Sequence, residues 1–369
     1  MTYRMLAIIT DTHFGYKGNN KTILSEHLEY FNKIVFPYIL TNNIKNVFHL
    51  GDLFDNRNSI DIFVVNEVKK QFIDFFERNK INLYIITGNH DVYYKNTNEV
   101  NSLNMFSSEY IKIYYEGINE LNLENYKIAL IPWINQPLDV SSQYDLIFGH
   151  FEFRHFHLNK SIISESGLES GNFSKFARLV LSGHYHLKSQ KENVFYLGSP
   201  YQLNWNDFNT LHGFYSIQDN KLKFIENNFS TKFIKVYYNE DIKDVKIKIF
   251  GLQNKPIELT ISSSLNFSEY IKNNYIKIIV ENIIHQNIFE LFYERILEHT
   301  FRERIEVIDI KESLENLSNI DNIQNINENN ISYLIEEYFK NANLNNEKEI
   351  LELFKEIFTT ANNKQKNLM

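Results

Sequence analysis

Residues 46–55 read Asn-Val-Phe-His-Leu-Gly-Asp-Leu-Phe-Asp, a short apolar run that stops at a glycine and leads into two aspartates, Asp52 and Asp55. A run of this length bounded by a turn residue reads as a strand buried on both faces. The glycine lets the backbone turn sharply where the run ends. The pattern recurs. Met5–Thr10 leads into Asp11-Thr12-His13, and Leu83–Thr87 into Gly88-Asn89-His90-Asp91. Asp145–Phe148 leads into Gly149-His150, and Leu179–Ser182 into Gly183-His184-Tyr185-His186. Ile128–Pro132 and Val194–Leu197 read as further strands. Helical patterns over Ile23–Leu40 and Ile62–Phe76 separate the early runs, whereas later strands follow one another with little helix between them. The expectation is an α/β chain in which two packed mixed β-sheets, flanked by helices, occupy residues 1–230.

Ligands at the carboxyl ends of successive strands converge on one crevice, where α/β sheets place their sites. Asp11, His13, Asp52, Asn89, His150, His184 and His186, with His90 beside them, offer too many oxygen and nitrogen donors for one tetrahedral ion. They suit two ions sharing a bridge. Mixed imidazole and carboxylate ligation favours Mn, Fe or Zn over Ca or Mg, which prefer all-oxygen shells. With few carboxylates in the set, such a centre stays net positive, attracts a phosphate and lowers the pKa of a bridging water.

Beyond residue 230 the pattern changes. Phe233–Tyr238, Val245–Phe250, Ile257–Ile261 and Tyr275–Val280 read as strands and Ile288–His299 as a helix, giving a small α+β capping domain over 231–312. A polar, Asn-rich linker spans 313–330. A C-terminal helical pair is expected over 331–369. Its first stripe is Ile331, Leu334, Ile335, Tyr338 and Phe339, and its second is Ile350, Leu353, Phe354, Ile357 and Phe358. Helices this short are marginal alone, and two apolar faces on a polar tether fit docking to a partner groove.

The five strand-end motifs resemble the DxH, GDxxD, GNH[DE], H and GHxH signatures of the calcineurin-like metallophosphoesterases. That resemblance implies a four-layer sandwich and assigns Asp11, His13, Asp52 and His186 to one metal. It assigns Asp52, Asn89, His150 and His184 to a second, with Asp52 as the bridge, and Mn2+ as the expected ion. It makes His90 the residue that protonates or stabilises the leaving oxygen, and Asp55 the partner that fixes and activates the His90 ring. Gly149-His150-Phe151-Glu152, Ile131-Pro132-Trp133, the run Tyr196–Gln202 and Trp205-Asn206-Asp207 are similar to the SbcD-type recombination nucleases, phage forms in particular. This narrower resemblance covers residues 1–230 and matches the remainder only in layout. It implies a manganese-dependent DNA nuclease of recombination and repair, with 3′-to-5′ exonuclease and single-strand endonuclease activity. It also implies that the helical pair docks on an SbcC-type ATPase, and that Ile62–Phe76 with Asn96–Phe106 forms a homodimer.

The chain has no cysteine, which excludes disulfides, thiolate metal sites and cysteine nucleophiles. Its net charge of −8 argues mildly against nucleic acid, an objection that a metal centre and a partner surface offset. The opening MTYRMLAIITDTH enters a strand at once, without the pattern of a signal peptide, and no run nears the ~20 apolar residues of a membrane span. The expectation is a cytoplasmic protein with no membrane contact, in the host cytoplasm if phage-encoded. His155 and His157 alternate like a strand or loop face and are not taken as ligands, and His49 reads as a core residue. Tyr201–Trp205 fits both stacking on nucleic acid and packing around a turn. Two other classes stay open. One is a binuclear phosphoesterase for phosphoproteins or cyclic nucleotides, although Ser/Thr phosphatases read GDxxDRG and GNHE where this chain reads Gly-Asp-Leu-Phe-Asp-Asn-Arg and Gly-Asn-His-Asp. The other is a non-catalytic tether for the ATPase, against which the complete ligand set argues.

Overall fold

Alternate residues of the central strands face two different apolar cores, which is why these runs are continuous and not alternating. The structure is a computed structural model that describes residues 5–309 apart from 124, 134–137, 139, 159–161, 243, 253–254 and 262–267. The linker and the helical pair, with both of its apolar stripes from Ile331 to Phe358, therefore lie outside the described residues. So do positions 310–312 of the expected capping domain.

Strands β1 (Leu6–Ile9), β2 (Asn46–His49), β3 (Asn82–Ile86) and β4 (Ile111–Tyr114) run parallel in the first sheet. The second sheet holds β5 (Asn119–Leu123), β6 (Tyr126–Ile131), β7 (Tyr144–His150), β8 (Ala177–Gly183), β9 (Ser189–Lys191) and β10 (Val194–Tyr196). The chain then returns to the first sheet as β11 (Gly213–Gln218), antiparallel to β1, and β12 (Lys221–Glu226). The resulting orders are β12-β11-β1-β2-β3-β4 and β5-β6-β7-β8-β10-β9, both mixed. Leu6, Ile8, Phe48, Tyr84 and Ile86 share a core with Ile128, Leu130, Leu146 and Phe148 of the second sheet, so the sheets stack face to face. Ala7, Ile9, Val47, Leu83 and Ile85 point the other way, onto helices.

Those helices are α1 (Lys21–Tyr30), continued through a π turn (Phe31–Val35) into α2 (Phe36–Thr41), and α3 (Ile62–Val68), continued through a second π turn (Lys69–Ile73) into α4 (Asp74–Asn79). Asn20 caps α1 by accepting from the backbone of Thr22 and Ile23, and Asp61 caps α3 by accepting from Phe63. The π turns fall where the two helices meet. Phe36 stacks on Phe75 at 3.8 Å, and Phe31 meets Phe72 edge-on at 5.0 Å. The second sheet's other face is covered differently. The connection between β7 and β8 lays Phe151, Phe153, Phe156 and Phe173 over Ala129, Ile147 and Val180, with one short helix, Gly171–Ser174, along it.

The third sheet contains β13 (Phe233–Glu240), β14 (Val245–Phe250), β15 (Ile257–Ile261), β16 (Tyr275–Asn282) and β17 (Ile305–Asp309), in the order β15-β14-β13-β16-β17. Helix α5 (Gln286–Leu297) follows β16. Among the described residues, 5–279 and 283–307 belong to one compact unit, and the site lies in it. Inside that unit a partly buried ion pair, Arg304 Nη2 to Glu26 Oε1 at 2.6 Å, ties the stretch before β17 to α1. No helix among the described residues is long and apolar enough to cross a membrane.

Candidate metal centre

Each motif sits where a parallel strand ends. Asp11 and His13 follow β1, Asp52 follows β2, Asn89 and His90 follow β3, His150 closes β7, and His184 and His186 follow β8. Three triads hold donor atoms mutually within 4.8 Å: Asp11–His13–His186, His13–Asp52–His90 and Asp52–His150–His184. His13 and Asp52 recur, so the triads are one continuous donor set drawn from both sheets.

Its geometry has a midpoint. Asp52 Oδ2 lies 3.7 Å from His13 Nε2 and 3.4 Å from His150 Nε2, and Asp52 Oδ1 accepts the His90 backbone N–H at 2.8 Å. On one side His13 Nε2 faces His186 Nε2 at 2.9 Å. On the other, Asn89 Oδ1 lies 2.8 Å from His184 Nδ1 and 3.0 Å from His150 Nε2. Lone-pair donors converging in this way fit two divalent cations, one among Asp11, His13, Asp52 and His186 and one among Asp52, Asn89, His150 and His184. The Nδ1 of His150 donates to the Leu50 carbonyl at 2.7 Å, which leaves Nε2 turned to Asp52 and open to a ligand role.

Burial draws His184 down to about 3 and His186 to about 4, so both imidazoles are neutral, the form that ligates. Burial also opposes a charge on His150, but the adjacent Asp52 carboxylate outweighs it and lifts this pKa to about 9. Burial likewise works against ionised Asp52, and His150 overrides it, holding the carboxyl well below its usual range.

The backbone here is strained. Asp11, His13, Asp52 and His184 have φ of 52°, 42°, 56° and 91°. Such conformations cost roughly 1–3 kcal/mol each for residues other than glycine and persist only where the surroundings enforce them. Asp91 supplies much of that enforcement: its Oδ2 accepts from Asp52 N at 2.7 Å and Gly88 N at 2.8 Å, and its Oδ1 from Leu53 N at 3.0 Å. Thr10 Oγ1 and the His184 N–H fix the Asp11 carboxylate at 2.6 and 3.0 Å. At Gly51, with φ 92°, a Cβ would lie 2.6 Å from His150 Nδ1 and 2.7 Å from Gly88 N, so no other residue fits.

One expected contact is made differently. The Asp55 carboxylate does not reach His90; His90 Nδ1 donates instead to the Asp55 backbone carbonyl at 2.5 Å. The carboxylate turns to His13, with Oδ1 3.3 Å from His13 Nδ1. The Asp55 backbone is held here by the bond from its N–H to Phe14 O at 3.1 Å. Sequence spacing assigns no role to Asp91, which works on backbone N–H groups, or to Trp133. The Trp133 ring lies 5.1 Å from that of His184 and 6.0 Å from that of His150. His155 and His157 are exposed and outside the donor set, and His49 is buried with Nε2 3.1 Å from Thr12 Oγ1. Tyr201 and Trp205 pack: Tyr201 is buried on His27 at 3.6 Å, and Trp205 lies against Phe233 at 5.0 Å.

A family signature described as calcineurin-like phosphoesterase matches residues 5–188. Among curated relatives, "Exonuclease subunit 1" of Enterobacteria phage T4 is 30% identical over 230 residues, covering 59% of this chain and 66% of that protein. The "DNA double-strand break repair protein Mre11" of Nanoarchaeum equitans is 23% identical over 353 residues, covering 84% of this chain and 90% of that protein.

Proposed function

Because residues 5–188 make this chain a calcineurin-like phosphoesterase, we propose that it is a two-metal DNA nuclease of recombination and repair that works with an SbcC-type ATPase. The observation that carries the reading is Asp52, one carboxylate set between two donor groups that each suit a divalent ion. The DNA substrate is supported by the relatives, one named as an exonuclease subunit and one as a double-strand break repair protein. Manganese suits the mixed imidazole and carboxylate donors. The expected activities are 3′-to-5′ exonuclease and single-strand endonuclease.

Two bound divalent ions would neutralise the phosphate and activate a water for in-line attack. The chain's own residues do the rest. Asp11, His13, Asp52, Asn89, His150, His184 and His186 hold the ions at strand ends that cannot shift without disturbing the core. His90 is anchored by Nδ1–H on a carbonyl, which can only accept, so Nε2 faces the departing sugar oxygen and gives it a proton from the doubly protonated ring, which returns to the neutral imidazole.

End-labelled linear DNA tests this directly. Mn2+ should support release of nucleotides, and a chelator should stop it until manganese is restored. Hydrolysis of small phosphate esters with no action on DNA would overturn the DNA reading in favour of another phosphoesterase class.

The ATPase is proposed to dock on 331–369, whose stripes Ile331, Leu334, Ile335, Tyr338, Phe339, Ile350, Phe354 and Ile357 suit a partner groove. Deleting 331–369 should abolish co-purification with the ATPase and leave manganese-dependent cleavage of short DNA intact; a truncated protein that still co-purifies would sink the assignment. A homodimer is proposed through the region of Ile62, Phe63 and Met105, which are 85%, 40% and 58% exposed. Light scattering of the same samples should give the dimer mass, and a monomer at micromolar concentration would refute it.

A further inference from the structure

We infer that Tyr93 and Tyr94, with Lys95 beside them, form a base-stacking rail for the DNA strand whose phosphate enters the metal centre. The inference rests on the nuclease reading above and names the part of the substrate that this surface holds. Tyr93 and Tyr94 are 50% and 49% exposed, and their rings meet edge-to-face at 4.8 Å. Neither belongs to an apolar core among the described residues.

The loop that carries them is closed and fixed. Val92 pairs with Asn101, Tyr93 N donates to Val100 O at 2.9 Å, and Ser102 N donates to Asp91 O at 2.9 Å. Asn98 Nδ2 bonds the Trp133 carbonyl at 2.6 Å, and Trp133 N bonds the Thr87 carbonyl at 2.7 Å. The loop is thus tied at both ends to residues that frame the donor set. Tyr93 follows His90 by three positions, a reach of at most about 11 Å, which is a few nucleotides along a strand.

Physical need and chemistry agree. A chain of net charge −8 gains little from broad attraction to phosphates. Stacking of bases on aromatic rings is largely indifferent to sequence, and single-strand sites combine such rings with cationic groups that follow the backbone. Lys95, next to Tyr94 in the chain, is exposed and adds a positive charge that a backbone phosphate can meet.

The test uses the full-length Tyr93→Ala/Tyr94→Ala protein with Mn2+, against a single-stranded oligonucleotide and against methyl p-nitrophenyl phosphate, a diester without a nucleobase. KM for the oligonucleotide should rise about ten-fold or more, with hydrolysis of the small diester unchanged. The Tyr93→Phe/Tyr94→Phe protein should keep wild-type KM. Equal losses on both substrates, or an unchanged oligonucleotide KM, would overturn the rail. So would a change in oligomeric mass with KM unaltered, which would make a second copy of this chain the occupant. Wild-type protein that hydrolyses the diester but never the oligonucleotide would instead refute the nuclease reading, and the rail with it.

Discussion

Asp52→Ala protein is expected to fold, to bind neither metal at wild-type affinity and to show no hydrolysis of any phosphodiester. The carboxylate sits between His13 Nε2 and His150 Nε2 and is the one group placed to serve both donor sets. Its loss also strips His150 of the counter-charge that raises its pKa to about 9. The folded-state pKa of His150 is raised, so its pairing with Asp52 stabilises the metal-free protein below the histidine's ordinary value of about 6.5 and fades as pH rises through about 9. The variant should therefore lose stability relative to metal-free wild type chiefly below that upper limit. Metal analysis by mass spectrometry together with thermal melts at several pH values would check both parts. Retention of two ions per chain would mean that Asp52 is no bridge.

His90→Ala should separate chemistry from binding. Its backbone N–H, not its ring, holds Asp52 Oδ1, so alanine keeps that bond. The ring's anchor is the Asp55 carbonyl, which no substitution at Asp55 removes. We expect a fall in kcat of about 10²- to 10⁴-fold, the usual worth of a positioned general acid, with both metals still bound. Asp55→Asn is the informative companion: because the carboxylate faces His13 and not His90, it should weaken metal binding on the His13 side and, once metal is restored to saturation, leave kcat near wild type. Equal loss of metal in the His90→Ala and Asp52→Ala proteins would show that His90 is a ligand and not an acid.

The strand-end motifs were legible because each couples a local signal, an apolar run closed by a turn residue, to a change of side-chain chemistry. The two central cores followed from the continuous runs, as at Leu6–Ile9 and Asn46–His49. What stayed hidden depends on side-chain direction or on partners distant in sequence. The π turns at Phe31–Val35 and Lys69–Ile73 follow from ring packing between two helices, which no single-helix period contains. The aromatic cover of the second sheet comes from a connection whose Phe151, Phe153 and Phe156 have no helical spacing. Asp55 turns its backbone carbonyl to the His90 ring and its carboxylate to His13, a choice of direction that motif spacing does not contain. Asp91 binds backbone N–H groups of the preceding motif, and a sequence motif names side chains only.

The left-handed backbone at Asp11, His13, Asp52 and His184 bears on how these positions tolerate change. At each of them glycine would sit in the same conformation at less conformational cost. Replacing one of these donors by glycine therefore trades a ligand for relief of backbone strain, so loss of metal is expected there without loss of fold.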